Sequence, residues 1–286
     1  YEEIIKLADL VKVEILGMSP AKLADTVKNL KKFNVDLLAE KVETLEEHQF
    51  CKKLGFKYFQ GYFFAKPEIV PGRKLSSSEL SRMRLLQELS KKEFEVSKVS
   101  ETIRTDVSLS YRLLKYINSA AFCLVKKIES IDQAVTLLGS QKLMQWVRVV
   151  AMADLSSTAK ANELVFISAH RARFMEIMAP EAKKSRYSTA NLFLLGLFSN
   201  LDAILGIEMK DLVPQLGLED ELANALLGQK CGYTQWLALV KATETGNWDG
   251  MANQCQQLGL EQSAVAKHYS GALNWTQELL GYSSRG

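Results

Sequence analysis

The residues best suited to chemistry fall in two stretches of this 286-residue chain. In the first, Lys12 and Glu14 stand at alternate positions of the run ADLVKVEIL. Glu40 and Glu43 follow in LLAEKVET, and Gln60-Gly61 forms a turn in FQGYFFAKP, which closes at Pro67. Carboxylates at strand ends can hold divalent cations that activate water, although a single Glu so placed reads by itself as a loop hydrogen-bonder. In the second stretch, His170 in SAHRARF is followed by Ser199, Asn200 and Asp202 in FSNLD. The other histidines are His48 and His268. None of Cys51, Cys123, Cys231 and Cys255 forms a C-x-x-C pair or lies at zinc-ligand spacing from a His. The thiols read as reduced and mostly buried, in a cytoplasmic protein.

The elements that must position these residues change character along the chain. Residues 1–70 alternate strand and helix. ADLVKVEIL is a short strand; Ser19-Pro20 opens a helix that turns Leu23, Val27 and Leu30 inward. VDLLAEKV is the next strand, and Thr44 with Glu47 forms a capping box for a helix stopping at Gly55. YFQGYFFAKP is the third strand. Single helices between strands imply parallel pairing. Pro71-Gly72-Arg73-Lys74 and Ser76-Ser77-Ser78 then form a polar linker, and Ser76 with Glu79 makes a second capping box. Beyond it the pattern is helix upon helix. Leu80, Met83, Leu86 and Leu89 share a face, as do Leu109, Leu113 and Ile117. Ser130 with Gln133 opens a helix carrying Ala134 and Leu137 and stopping at Gly139; the next shows Leu143, Val147 and Val150. Asn118-Ser119 reads as a helix stop. The expected domains are 1–70 and 71–286, and no fixed-period repeat is visible.

Composition narrows the function classes. Hydrophobic content of 47% and charged content of 24% describe a globular protein. No apolar run is long enough to span a bilayer, and Ala190 to Leu201 reads as a buried helix. Net charge is +3, and residues 1–70 carry eleven basic and eleven acidic side chains. The surplus in patches such as Lys183, Lys184 and Arg186 reads as solvated surface, so no nucleic-acid partner is expected. The tryptophans Trp146, Trp236, Trp248 and Trp275 form no stacking ladder and read as packing residues.

DLVKVEI, LLAEKVET and FQGYFFAKP resemble the last third of an EAL domain, the barrel phosphodiesterase that linearises cyclic di-GMP. The resemblance implies cation-binding carboxylates at the C-terminal mouth of the barrel. Lys12 matches the strand lysine near the attacking water, and Glu14 stands where Asp is common. Glu40 matches the first Glu of an AEGVE-like motif with Lys41 in place of Gly, Glu43 the second, and Gln60 a late glutamine near the nucleotide. The E-A-L signature and the remaining ligands precede this region in the family, before Tyr1. Three βα units cannot close an eight-stranded barrel, so the sheet is expected to have open edges, covered by the helical domain, a second copy or a preceding segment.

RLLQELS, TDVSLSYRLLKYINSAAF and IESIDQAVTLLGSQKL together resemble an HDOD domain, the signalling relative of HD phosphohydrolases. FLLGLFSNLDAILGIEMKDLVPQL, ALLGQ and ALVKATETGNWDG continue the likeness to EAL–HDOD proteins. In an HD enzyme, histidines and aspartates from separate helices converge on metal. Here His170 falls at the first histidine, Ser199 and Asn200 replace the His-Asp pair, and Asp202 comes three residues late. Neutral hydroxyl and amide groups are poor substitutes around a divalent cation.

The expected fold is therefore α/β plus all-α: a partial βα-barrel fragment of about three βα units, then an HD-related helical domain. The expected function is non-catalytic bacterial signal transduction through a protein partner, with both sites vestigial, no metal and no cofactor. Homodimerisation is the further expectation. A cyclic di-GMP-binding effector or phosphodiesterase is the alternative, should further N-terminal strands exist.

Overall fold

The structure, a computed structural model, describes residues 2–61, 73–91, 95–155, 158–183 and 187–281. It divides into two compact units, Tyr1–Glu68 and Ile69–Gly286.

In the first unit α1 (Glu2–Ile5), β1 (Leu10–Glu14), α2 (Pro20–Leu30), β2 (Asp36–Glu40), α3 (Leu45–Leu54) and β3 (Tyr58–Gln60) follow one another. Local chemistry sets the boundaries. The Ser19 hydroxyl accepts the Lys22 N–H at the start of α2, Pro20 takes the first turn, and Leu23, Val27 and Leu30 are buried. The Thr44–Glu47 capping box opens α3, which ends on Gly55 at φ 98°. The sheet is parallel, ordered β1-β2-β3, with Glu14, Glu40 and Gln60 side by side at the strand ends. The third strand is described only over Tyr58–Gln60, and Pro67 lies outside the described residues.

Strand side chains alternate between faces. Val11, Val13, Leu37, Ala39 and Phe59 therefore share one face and pack with the buried residues of α2 and α3. The other face carries Lys12, Glu14, Glu40 and Gln60. At its end Gly61 meets residue 42 so closely that a Cβ would lie 2.2 Å from the Val42 carbonyl oxygen. Only glycine allows this approach, which lets Val42 N–H reach the Gln60 oxygen at 3.1 Å.

In the second unit every regular element among the described residues is a helix. It runs α4 (Ser77–Ser90), α5 (Val96–Thr105), α6 (Val107–Ile117), α7 (Ile131–Ala153), α8 (Ala159–Met178), α9 (Thr189–Phe198), α10 (Leu201–Leu205), α11 (Met209–Leu212), α12 (Asp220–Leu226), α13 (Tyr233–Glu244), α14 (Trp248–Leu258) and α15 (Gln262–Leu280). The Ser76–Glu79 capping box opens α4 and Ser130 caps α7. Gly139, at φ 72° and ψ 168°, breaks α7 into two runs. Arg73 donates to the Leu205 carbonyl and to Glu79, fixing the start of α4; Pro71 and Gly72 are outside the described residues. Asn118 ends α6, donating to the carbonyls of Leu114 and Ile128 and accepting from the Ile128 N–H, each at 2.8 Å.

Three inward assignments change. Leu80 is exposed, and α4 buries only Met83, Leu86 and Leu89. Leu138, rather than the exposed Leu137, enters the core beside Ala134. Trp248 is exposed, whereas Trp146 and Trp236 are fully buried. The spacing rule gives a face, but which side meets a neighbour depends on the helices packed against it. Cys51 and Cys255 are buried, while Cys123 is exposed. Lys183 is exposed, with Lys184 and Arg186 outside the described residues. Among the described residues no single helix is long and apolar enough to cross a membrane.

Helix α8 is the hub. It packs against α7, α9, α10, α13 and α15, and residues around its whole circumference are buried, including Ser168, His170 and Glu176. A helix surrounded in this way must satisfy its polar groups internally.

Candidate functional site

The centre of the helical unit is an arginine. Arg171 on α8 forks onto Glu244 at the end of α13, donating from Nε to Oε1 and from Nη2 to Oε2, both at 2.7 Å. Its Nη1 donates to Ser199 Oγ at 3.1 Å and to Asn200 Oδ1 at 3.0 Å. Ser199 in turn donates to the Gly196 carbonyl at 2.7 Å, and Asn200 Nδ2 donates to Ser168 Oγ at 3.1 Å. The guanidinium thus joins α8, the α9–α10 junction and α13. A bidentate pair of this kind is charge-assisted and directional.

Helix contact puts the groups there. A Cβ on Gly196 would lie 2.3 Å from the Ala172 backbone nitrogen. With hydrogen at that position, α9 settles directly onto the α8 backbone beside Arg171, and the next turn delivers Ser199 and Asn200 to it.

The structure separates the residues that the sequence grouped with His170. Its imidazole Nε2 lies 3.0 Å from the Tyr269 carbonyl oxygen, and its ring meets the Tyr269 ring edge-on at 4.3 Å. Burial pushes the imidazole below its ordinary value and the Tyr269 hydroxyl up to about 12. Asp202 turns to the Ala203 N–H at 2.8 Å, and burial raises its carboxyl. Ser199 and Asn200 converge, then, on Arg171 rather than on His170 or Asp202. Arg171, Glu244, Ser168 and Gly196 escaped the sequence reading. The one available signal for Arg171 was a cation beside His170 in a helix too apolar to leave it in water.

On the first unit's sheet, Lys12 Nζ reaches Glu40 at 2.6 Å and Lys41 Nζ reaches Glu14 at 2.6 Å. Lys41 stands at φ 58°, and the Glu14 hydrogen bond raises its ammonium above the ordinary value. Glu43 stays exposed and acts through its backbone, its N–H donating to Glu47 Oε2 at 2.8 Å. Lys12, Glu14, Glu40 and Gln60 thus share one face, and Glu43 stands apart. Among the described residues no group of three or more His, Cys, Asp or Glu side chains is placed to hold a metal ion.

Comparison with known proteins bears on both units. Over 283 residues, 98% of this chain, the sequence is 37% identical to the uncharacterized protein YuxH of Bacillus subtilis and covers 68% of it. Over 281 residues, again 98% of the chain, it is 32% identical to the cyclic di-GMP phosphodiesterase CdgJ of Vibrio cholerae and covers 65% of that protein. The chain thus spans about two thirds of the length of these relatives. A crystal structure from Marinobacter aquaeolei VT8, provisionally named for signal transduction, superposes with a TM-score of 0.53 at 12% identity. That match covers 91% of this chain and 83% of the other, and shows likeness of fold. Residues 77–222, from the start of α4 into α12, match the HDOD domain, and the chain belongs to that family.

Proposed function

We propose that this protein is a non-catalytic regulator in signal transduction, acting by binding another protein, and that its first unit derives from an EAL barrel. One observation carries the reading: Ser199 and Asn200, at the positions of a His-Asp pair, hold the Arg171 guanidinium. Glu244 already balances the guanidinium charge among the described residues, so a divalent cation would have to displace an arginine held there by four hydrogen bonds. The parallel sheet with Glu14, Glu40 and Gln60 at adjacent strand ends supports the EAL origin, as does likeness to CdgJ over nearly the whole chain. A second copy of the chain is the further partner this reading admits.

The alternative is a cyclic di-GMP effector or phosphodiesterase. It is favoured by the name of CdgJ and by Lys12, Glu40 and Gln60 sharing a face that further strands could complete in a longer protein. Incubation with cyclic di-GMP and Mg²⁺ or Mn²⁺ separates the two. The regulator reading expects no linear product and no binding heat. Hydrolysis that disappears in Glu40→Gln would establish the alternative.

A further inference from the structure

A cleft of about 180 Å³ opens in the helical unit, away from Arg171's guanidinium cluster. Its floor is one face of α7, where Gln141, Met144, Gln145 and Arg148 recur at helical spacing. The end of α4 and the first turn of α9 form its walls, with Ala190 and Phe193 on the α9 side.

Among the described residues that line the cleft, two cations, Lys91 and Arg148, face one carboxylate, Glu176. Glu176 is satisfied: Gln141 and Gln145 donate to one carboxylate oxygen and Arg173 to the other. Lys91, at the mouth, pairs with Glu88 at 2.6 Å. Among the described residues Arg148 forms no ion pair, although the Glu176 carboxylate attracts it through space. It spends Nε and Nη2 on the Leu89 carbonyl, at 2.9 and 2.5 Å, and Nη1 has no hydrogen-bond partner among the described residues. Burial lowers this guanidinium to about 10, so its charge is held against a desolvation cost. The positive end of the α9 dipole borders the same space. Met144 and Phe193 add an apolar wall.

We propose that this cleft binds a small organic anion, its acidic group on the open edge of Arg148 and its apolar body against Met144 and Phe193. Such a site would give the regulator a chemical input. The proposal does not depend on the absence of catalysis, since it involves none of the residues tested for hydrolysis.

Benzoate and inorganic phosphate serve as probes, with benzamide as the neutral control, read by thermal unfolding and by titration in two-dimensional NMR. Benzoate is expected to raise the unfolding midpoint and shift resonances of α7 and α9. Benzamide should bind at least tenfold more weakly, and Arg148→Gln should lose about tenfold in benzoate affinity. Because Arg148→Gln also alters the bond to Leu89, Ala190→Phe provides a second variant, filling the cleft from its exposed rim. It should keep the unliganded midpoint and abolish the benzoate response. Equal binding of benzamide, an undiminished response in Ala190→Phe, or no response to either anion would overturn the proposal. Binding of phosphate without benzoate would overturn the assignment of an apolar body.

Discussion

Among the described residues Arg171 makes four hydrogen bonds with one planar group, and two of its acceptors belong to a single carboxylate. The Arg171 and Glu244 side chains are only 13% and 19% exposed, so removing either charge leaves the other buried without its bidentate partner. Breaking such a pair costs about 3–5 kcal/mol, and partial solvent access puts this one near the low end. Arg171→Met is therefore expected to lower stability by about 3 kcal/mol in urea unfolding. Arg171→Met with Glu244→Met should recover more than half of the loss, because both charges are gone. A single variant as stable as the parent would remove the cluster from any organising role. His170 gives a pH signature at the same scale. Burial, with the Arg171 charge nearby, holds the folded imidazole below its ordinary 6.5 against the opposing pull of the Tyr269 carbonyl and Glu244. Below that pH the unfolded chain takes up a proton that the folded chain refuses. The contribution is thus complete above about pH 6.5 and is lost as pH falls toward the folded value, by at most about 1.4 kcal/mol per unit. His48 leans the same way through burial, so the readout is a difference. His170→Gln should show a shallower loss than the parent between about pH 7.5 and pH 5.5; parallel curves would count against it.

At the scale of elements, the contact between α8 and α9 decides whether the cluster exists. Gly196→Ala places a methyl group 2.3 Å from a backbone nitrogen that cannot swing away. The helices must separate, at a cost of about 1–3 kcal/mol, and Ser199 and Asn200 move off Arg171. Urea unfolding of Gly196→Ala should show that loss, and adding Arg171→Met should cost less than it does alone, since the two share partners. Full additivity would mean that α9 does not position the cluster. Devices confined to a few residues could be read from the sequence: the Thr44–Glu47 and Ser76–Glu79 boxes, the Ser130 cap, the stop at Gly55 and the break at Gly139. Each is closed by backbone groups within a turn of its own residue. Leu137 and Leu138 could not be sorted that way, because either fits the helical period and only the neighbouring helices decide. Ser199 and Asn200 were legible as candidate site residues. What they hold was not, because Arg171 and Glu244 come from helices 73 positions apart in sequence, and Gly196 reveals itself only through the helix it touches.

Each unit of the whole molecule has its own apolar core. That of the first is built from Val13, Leu23, Val27, Leu37, Ala39, Cys51 and their neighbours, all inside Tyr1–Glu68. The second centres on α8, with Leu164, Phe174 and Met175 fully buried. Two cores make two cooperative openings possible, and the free energy of each is set by its own contacts. Leu23→Ala removes a nearly fully buried side chain from the first core, which costs about 2–5 kcal/mol. Hydrogen exchange followed by mass spectrometry should show amides in β1, α2 and β2 exchanging faster by the corresponding factor. Amides of α8 should keep their parent rates, because nothing in their core has changed. If α8 speeds up equally, the units unfold as one. In the proposed regulator this distinction would set the range of the signal: with separate openings, ordering of the sheet unit leaves the Arg171 cluster undisturbed.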